Sequence, residues 1–131
     1  MHAAIAWPVR VYWEDTDAGG IVYHAAYLAF MERARSEWLR AAGIDQRQLR
    51  ATERLQFAVV GMQIEWRKPA VHDDLLSVTA DITERGRASF SFAQNVFRDA
   101  ELLVAATVRC AVLDADTLKP RRLPTHLFPA D

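Results

Sequence analysis

Cysteine is nearly missing from this sequence: Cys110 stands alone among 131 residues, so no disulfide can form within the chain. That scarcity fits a reducing compartment and predicts a cytoplasmic protein. Charge of one sign is missing too. Sixteen basic residues against 17 acidic ones leave a net charge of −1, which argues against a general nucleic-acid binder with its broad basic footprint. No stretch approaches the roughly 20 apolar residues of a membrane span. Met1 to Pro8 contains no basic segment followed by an apolar run, so no signal peptide is expected. Glycine and proline number five each and fall mostly at joints between periodic segments, with no repeat, low-complexity tract or charge block.

What remains is a chain that is 51% hydrophobic, the composition of a folded domain, and residues 1–131 suit one domain. A chain of this length buries about two-thirds of its unfolded surface and needs no metal or disulfide staple.

Alternation from Val9 to Glu14, with Val9, Val11 and Trp13 on one face, predicts a first strand. From His24 to Ala42 the period changes. Tyr27, Phe30, Met31, Ala34, Trp38 and Ala41 recur at helical spacing, and Gly43 is a stop signal. Asp45 to Leu55 reads as a short second helix, with Asp45 and Gln48 spaced as in a capping box. Four strands complete the chain. Gln56 to Arg67 places Ala58, Val60, Met62, Ile64 and Trp66 on one face, and Leu76, Val78, Ala80 and Ile82 form the next apolar face. Turns at Glu84–Gly86 and Arg98–Glu101 bound the strand from Arg87 to Arg98, and Leu102 to Leu113 is apolar on both faces. The expectation is an α+β protein: one long helix packed on an antiparallel sheet of five strands, the last four in a meander.

Chemistry concentrates between Tyr12 and His24. Glu14, Asp15 and Asp17 crowd together, Gly19-Gly20 follows, and His24 stands where the long helix begins. A helix start offers unpaired backbone N–H groups and the positive end of the helix dipole. A carbonyl docked there would be polarised, and the oxyanion formed on attack stabilised. A carboxylate seven residues earlier can fold back to the same point and act as general base or nucleophile, a pairing that suits acyl transfer. The same residues also serve as ordinary turn and capping chemistry.

The run EDTDAGGIVYH followed by AAYLAFMERARSEWLR resembles the YbgC-type acyl-CoA thioesterases, relatives of 4-hydroxybenzoyl-CoA thioesterase. The resemblance runs from Trp7 to Arg121; one departure is Trp13, where relatives often carry tyrosine. It implies a hot-dog fold, a long central helix wrapped by a five-stranded antiparallel sheet. It also implies hydrolysis of acyl-CoA to a free acid and CoA, in homodimers or homotetramers with active sites at the dimer interface. Two other roles accompany the resemblance: a hot-dog dehydratase acting on acyl thioesters, and acyl binding or scaffolding beside the Tol-Pal envelope system or phospholipid-synthesis proteins.

Residue by residue, the resemblance gives Asp17 the catalytic carboxylate and places the His24 amide on the thioester carbonyl. Tyr23 is expected to line the pocket. Arg85, Arg87 and Ser89 are candidates for the CoA phosphates, since guanidinium geometry matches phosphate; Arg67-Lys68 and Arg121-Arg122 are weaker ones. Glu14 and Asp15 are expected to fix the loop through glycine amides, and Glu32 to serve as an ion-pair or hydrogen-bond partner. Cys110 is expected in the core. No cofactor is required, because CoA arrives with the substrate. His2, His72 and His126 share no ligand-like spacing, so no metal site is expected. No Gly-x-Ser-x-Gly elbow is present.

Overall fold

The computed structural model describes residues 4–128; His2 lies outside them. Strand β1 (Ile5–Arg10) leads through a 3-10 turn, Trp13–Asp15, to helix α1 (His24–Ala41) and helix α2 (Gln46–Glu53). Strands β2 (Leu55–Trp66), β3 (Leu75–Arg85), β4 (Ser89–Arg98) and β5 (Glu101–Asp114) follow. All pair antiparallel, in the spatial order β1-β3-β4-β5-β2. The α+β class and the five strands agree with expectation.

Three local expectations fail, each for a physical reason. The first strand begins and ends earlier than its alternation suggested. Asp15 accepts a hydrogen bond from the Tyr12 N–H at 2.8 Å and closes the 3-10 turn, which leaves Trp13 69% exposed instead of beside Val9 and Val11. Pro8 is tolerated inside β1 because β1 is an edge strand, paired only with β3. The meander covers only β3, β4 and β5; β2 crosses to the far edge and pairs with β5. Finally, the β2–β5 register slips between Val59 and Gly61, so Val60 is bulged out of the ladder. A bulge reverses the inward parity. Phe57, not Ala58, shares the core face with Met62 and Ile64, and its ring meets Phe90 at 4.9 Å.

Helix α1 buries Tyr27, Phe30, Met31, Ala34, Arg35, Trp38 and Leu39. Arg35 is an unexpected member of that face, and Ala41 is exposed instead. Trp38 meets Phe92 edge-on with ring centroids 5.5 Å apart, locking the helix to β4. Gly43, at φ 82°, ends α1 as expected; the Ile44 N–H donates to the Leu39 carbonyl at 2.9 Å. Asp45 caps α2 by accepting from the Gln48 N–H at 3.0 Å.

A polar link crosses this interface. The Gln94 amide, fully buried, donates to the Met31 carbonyl at 3.0 Å and the Thr79 carbonyl at 3.2 Å, while its oxygen accepts from Arg35 at 3.0 Å. Helix α1 and strands β3 and β4 are thereby tied at one point.

Candidate active site

Residues 16–22 form a small hairpin. Thr16 bridges Val22, the Asp17 N–H donates to the Ile21 carbonyl at 2.9 Å, and the Gly20 N–H donates to the Asp17 carbonyl at 3.0 Å. Gly20 makes the turn at φ 81°, a conformation that side-chain-bearing residues seldom adopt. The hairpin docks on the segment after β2: Ile21 bridges Val71, and the Val22 N–H donates to the Ala70 carbonyl at 2.9 Å. Its exit is fixed by the Tyr23 N–H, which donates to the Asp15 carbonyl at 2.8 Å immediately before α1 begins.

These constraints bring Asp17 back to the start of the helix. The Asp17 carboxylate, His24, Tyr27, Trp66, Arg67 and Lys68 line one cleft of about 320 Å³. One carboxylate oxygen, Oδ1, accepts from the Gly19 N–H at 2.8 Å. Tyr23 is the N-cap of α1 and makes no side-chain cap; the Ala26 N–H donates to the Tyr23 carbonyl at 2.9 Å, and the His24 amide is left for a ligand. Acid and helix start are therefore held at one cavity by backbone bonds rather than by long flexible side chains.

Aromatic rings build the walls. Tyr27 is 2% exposed, its ring 5.3 Å from Trp66, and its hydroxyl accepts from the Ala70 N–H at 3.0 Å. Burial pushes the Tyr27 phenol above its ordinary range, so it remains a neutral hydroxyl. The His24 ring lies between Tyr23 at 4.2 Å and Trp66 at 6.5 Å.

An ion network braces the wall from behind. Lys68 pairs with Glu101 at 2.6 Å; Arg98 joins Glu101 and Asp74 at 2.7 Å each. Hydrogen bonds from Lys68 and then Arg98 hold the Glu101 carboxyl below its ordinary value.

Among the expected site residues, Asp17 and His24 meet in the cleft. Tyr23 is 48% exposed and meets the His24 ring at a tilt of 42°, outside the residues that line the wall. Arg85 and Arg87 border a different cleft of about 230 Å³, together with Arg122. Ser89 closes that hairpin, its carbonyl accepting from the Gly86 N–H at 2.7 Å. This hairpin lies at the opposite end of β3 from the Asp17 cleft, on the order of 30 Å away at about 3.3 Å per residue. One chain does not bring the two groups together.

Other expectations change as well. Asp15 bonds the Tyr12 amide and not a glycine; the glycine amide goes to Asp17 itself. Glu32 is exposed and makes no ion pair or hydrogen bond among the described residues. Arg67-Lys68, a weaker candidate by sequence, forms part of the Asp17 cleft. Tyr27 read as core only; its place three residues after His24, on the same helix face, was the available signal. Cys110 is buried, as expected. His72 stacks on Trp13 at 3.5 Å, while His126 lies 3.7 Å from Glu53. Among the described residues, no three His, Cys, Asp or Glu side chains are grouped to hold a metal ion. No helix among them is long and apolar enough to cross a membrane.

The same chain pattern recurs in known proteins. It is 44% identical to an acyl-CoA thioesterase YbgC of Haemophilus influenzae over 127 residues, covering 97% of this chain and 93% of that protein. It is 47% identical to an acyl-CoA thioester hydrolase YbgC of Escherichia coli over 122 residues, covering 92% and 90%. Among solved structures, a probable thioesterase from Bartonella henselae superposes with a TM-score of 0.88 at 40% identity, covering 93% of this chain and all of that one. The model of the thioesterase superfamily matches residues 19–105, a span that runs from the glycine holding Asp17 into the first half of β5. In fold and in sequence, this chain belongs to the thioesterase superfamily.

Proposed function

We propose that the protein hydrolyses acyl-CoA thioesters, with Asp17 as the reacting carboxylate and the His24 amide as the oxyanion donor. The observation that carries this reading is the convergence of Asp17 and the uncapped start of α1 on one cleft. The YbgC relatives, named as acyl-CoA thioesterases, support the substrate class.

The thioester carbonyl oxygen rests on the His24 N–H, where the helix dipole adds to the hydrogen bond. Gly19 occupies Asp17 Oδ1 and leaves Oδ2 for chemistry. As general base, Oδ2 takes a proton from water while the water oxygen bonds to the carbonyl carbon. The carbonyl electron pair moves to the oxygen held by His24. Its return expels the CoA thiolate, which recovers the proton from Asp17. As nucleophile, Asp17 instead bonds the carbonyl carbon and the C–S bond breaks, releasing the CoA thiolate; water then opens the anhydride to the free acid and the Asp17 carboxylate, and the proton it gives up goes to the thiolate. Single-turnover hydrolysis in oxygen-18 water separates the routes: label in Asp17 marks the anhydride. The rings of His24 and Tyr23 orient the substrate at the rim.

Two features support work as a homodimer, the unit from which a homotetramer is built. Strand β2 is an edge of the sheet, 12 residues long, with Val59, Val60 and Trp66 about half exposed. A long apolar edge is a template for pairing with a second copy. Trp66 belongs both to that edge and to the Asp17 cleft, so a partner laid along β2 would cover the open side of the site. Arg85, Arg87 and Ser89 then act on the CoA phosphates of a neighbouring chain's site, and Arg67 and Lys68 on those of their own.

The test is thiol release from short, long and aromatic acyl-CoAs by wild type and Asp17→Asn. Turnover by wild type, reduced at least about 10²-fold in a folded variant, is expected. Equal turnover by the two rejects the role of Asp17; an enoyl product without thiol release would mark a dehydratase.

A further inference from the structure

A second cavity, of about 150 Å³, opens beside the middle of α1 and is lined by Glu32, Arg35, Ser36, Phe57, Phe90 and Cys110 among others. It is about 16 Å along the helix from His24, at about 1.5 Å per residue, and shares no lining residue with the Asp17 cleft. Arg35 is only 8% exposed. Its guanidinium has five N–H donors, yet the side chain makes one hydrogen bond, to Gln94 at 3.0 Å. No carboxylate among the described residues lies within ion-pairing distance of it. Gln94 cannot turn to offer more, because its amide nitrogen is committed to the Met31 and Thr79 carbonyls.

None of the spare Arg35 donors is sealed off from solvent, and a largely buried guanidinium that still presents open N–H groups binds an anion strongly. Burial lowers the Arg35 guanidinium below its ordinary value; the titratable groups that oppose this shift are Cys110 and Glu32. Cys110 is a buried thiol that burial pushes up, so it stays neutral and supplies no counter-charge. Glu32, one turn before Arg35, is exposed and leaves it unpaired. Beyond the guanidinium, Phe57 and Phe90 form an apolar side that favours an alkyl stem, while Glu32, Ser36 and Gln46 form the polar remainder.

We infer that the Arg35 cavity is a binding site for a small monocarboxylate, its carboxylate on the guanidinium and its short alkyl stem against Phe57 and Phe90. The volume equals that of about five waters at about 30 Å³ each, enough for a short acid and too little for a long acyl chain. The inference does not depend on the reaction assigned to Asp17.

The test is a butyrate titration of the isotope-labelled protein at constant ionic strength, followed by backbone and Arg35 Nε–H resonances. Saturable shifts at Arg35, Ser36, Ala58 and Cys110 are expected, and they persist in Asp17→Asn, which separates this site from any product binding in the catalytic cleft. Butanol, lacking the charge, and succinate, which carries a second charge into the phenylalanine wall, bind more weakly. Arg35→Met weakens butyrate about tenfold or more, the loss of a charged hydrogen bond. Arg35→Lys, which keeps a cation, retains part of the affinity and guards against misreading a folding defect. Glu32→Gln tightens binding by removing a like charge from the lining. Shifts confined to the Asp17 cleft, no saturable shift at all, or unchanged affinity in a folded Arg35→Met would each overturn the inference.

Discussion

Gly19 donates its backbone N–H to Asp17 Oδ1 at 2.8 Å, and a Cβ placed on Gly19 would stand 3.2 Å from that same oxygen. The glycine thus both holds the carboxylate and leaves it room. Its backbone is not in the left-handed region, so alanine is tolerated by the chain but crowds the acid. Gly19→Ala is expected to keep the wild-type melting temperature within a few degrees and lower kcat about tenfold with little change in KM, since small displacements of a reacting group are costly. Steady-state kinetics beside a thermal melt checks this. A wild-type kcat would show that the contact does not position Asp17.

Gln94 gives the buried Arg35 its one side-chain hydrogen bond and stitches α1 to β3 and β4. Gln94→Leu leaves the guanidinium without any partner and is expected to cost about 2–4 kcal/mol. For a chain of this size that is a fall in Tm of roughly 6–20 °C. Adding Arg35→Met should restore part of the loss, because the uncompensated charge goes with it. Calorimetry of the two single variants and the double variant measures the coupling.

The Glu101 carboxyl, held by Lys68 and Arg98, has its folded-state pKa depressed. Its contribution is therefore fully present above the unfolded value near about 4.3, and it is lost as pH falls through the lower folded value. Melting temperatures of wild type and Glu101→Gln should differ at neutral pH and converge in acid. A gap that stays constant down to the acid limit would mean that the network does not stabilise the cleft wall.

Val60, bulged from the β2 ladder and 54% exposed, is a point at which a charge should disfavour edge pairing. Val60→Lys is expected to shift the protein toward monomer in light scattering and to lower turnover with it, while each chain stays folded. A monomeric variant with full activity would show that a single chain completes the site.

Much of this molecule was legible in its residues. The helical spacing from Tyr27 to Trp38, the stop at Gly43 and the cap at Asp45 are local signals, and the structure follows them. Asp17, Gly19-Gly20 and His24 lie within eight positions, so their juxtaposition is set by one hairpin and one helix start. Failures appear where a bond that the alternation does not record decides, whether local or distant. Trp13 continues an alternation but is turned out by the bond between Tyr12 and Asp15. Val60 matches its neighbours in hydrophobicity, yet a bulge against β5 removes it from their face.

The sequence by itself determined the element types and the acid–glycine–helix loop, because these depend on residues close together in the chain. Only the tertiary structure decided that β2 crosses to the far edge, that Trp66 to Lys68 wall the cleft, and that Arg85 and Arg87 stand at the other end of β3. It also decided that Arg35, a cation on a nominally apolar helix face, is buried against Gln94 from 59 residues away. The reason is physical. Hydrogen-bond registers and side-chain packing between remote strands are set by the closing of the whole sheet, and local pattern carries no record of which edge a strand will join.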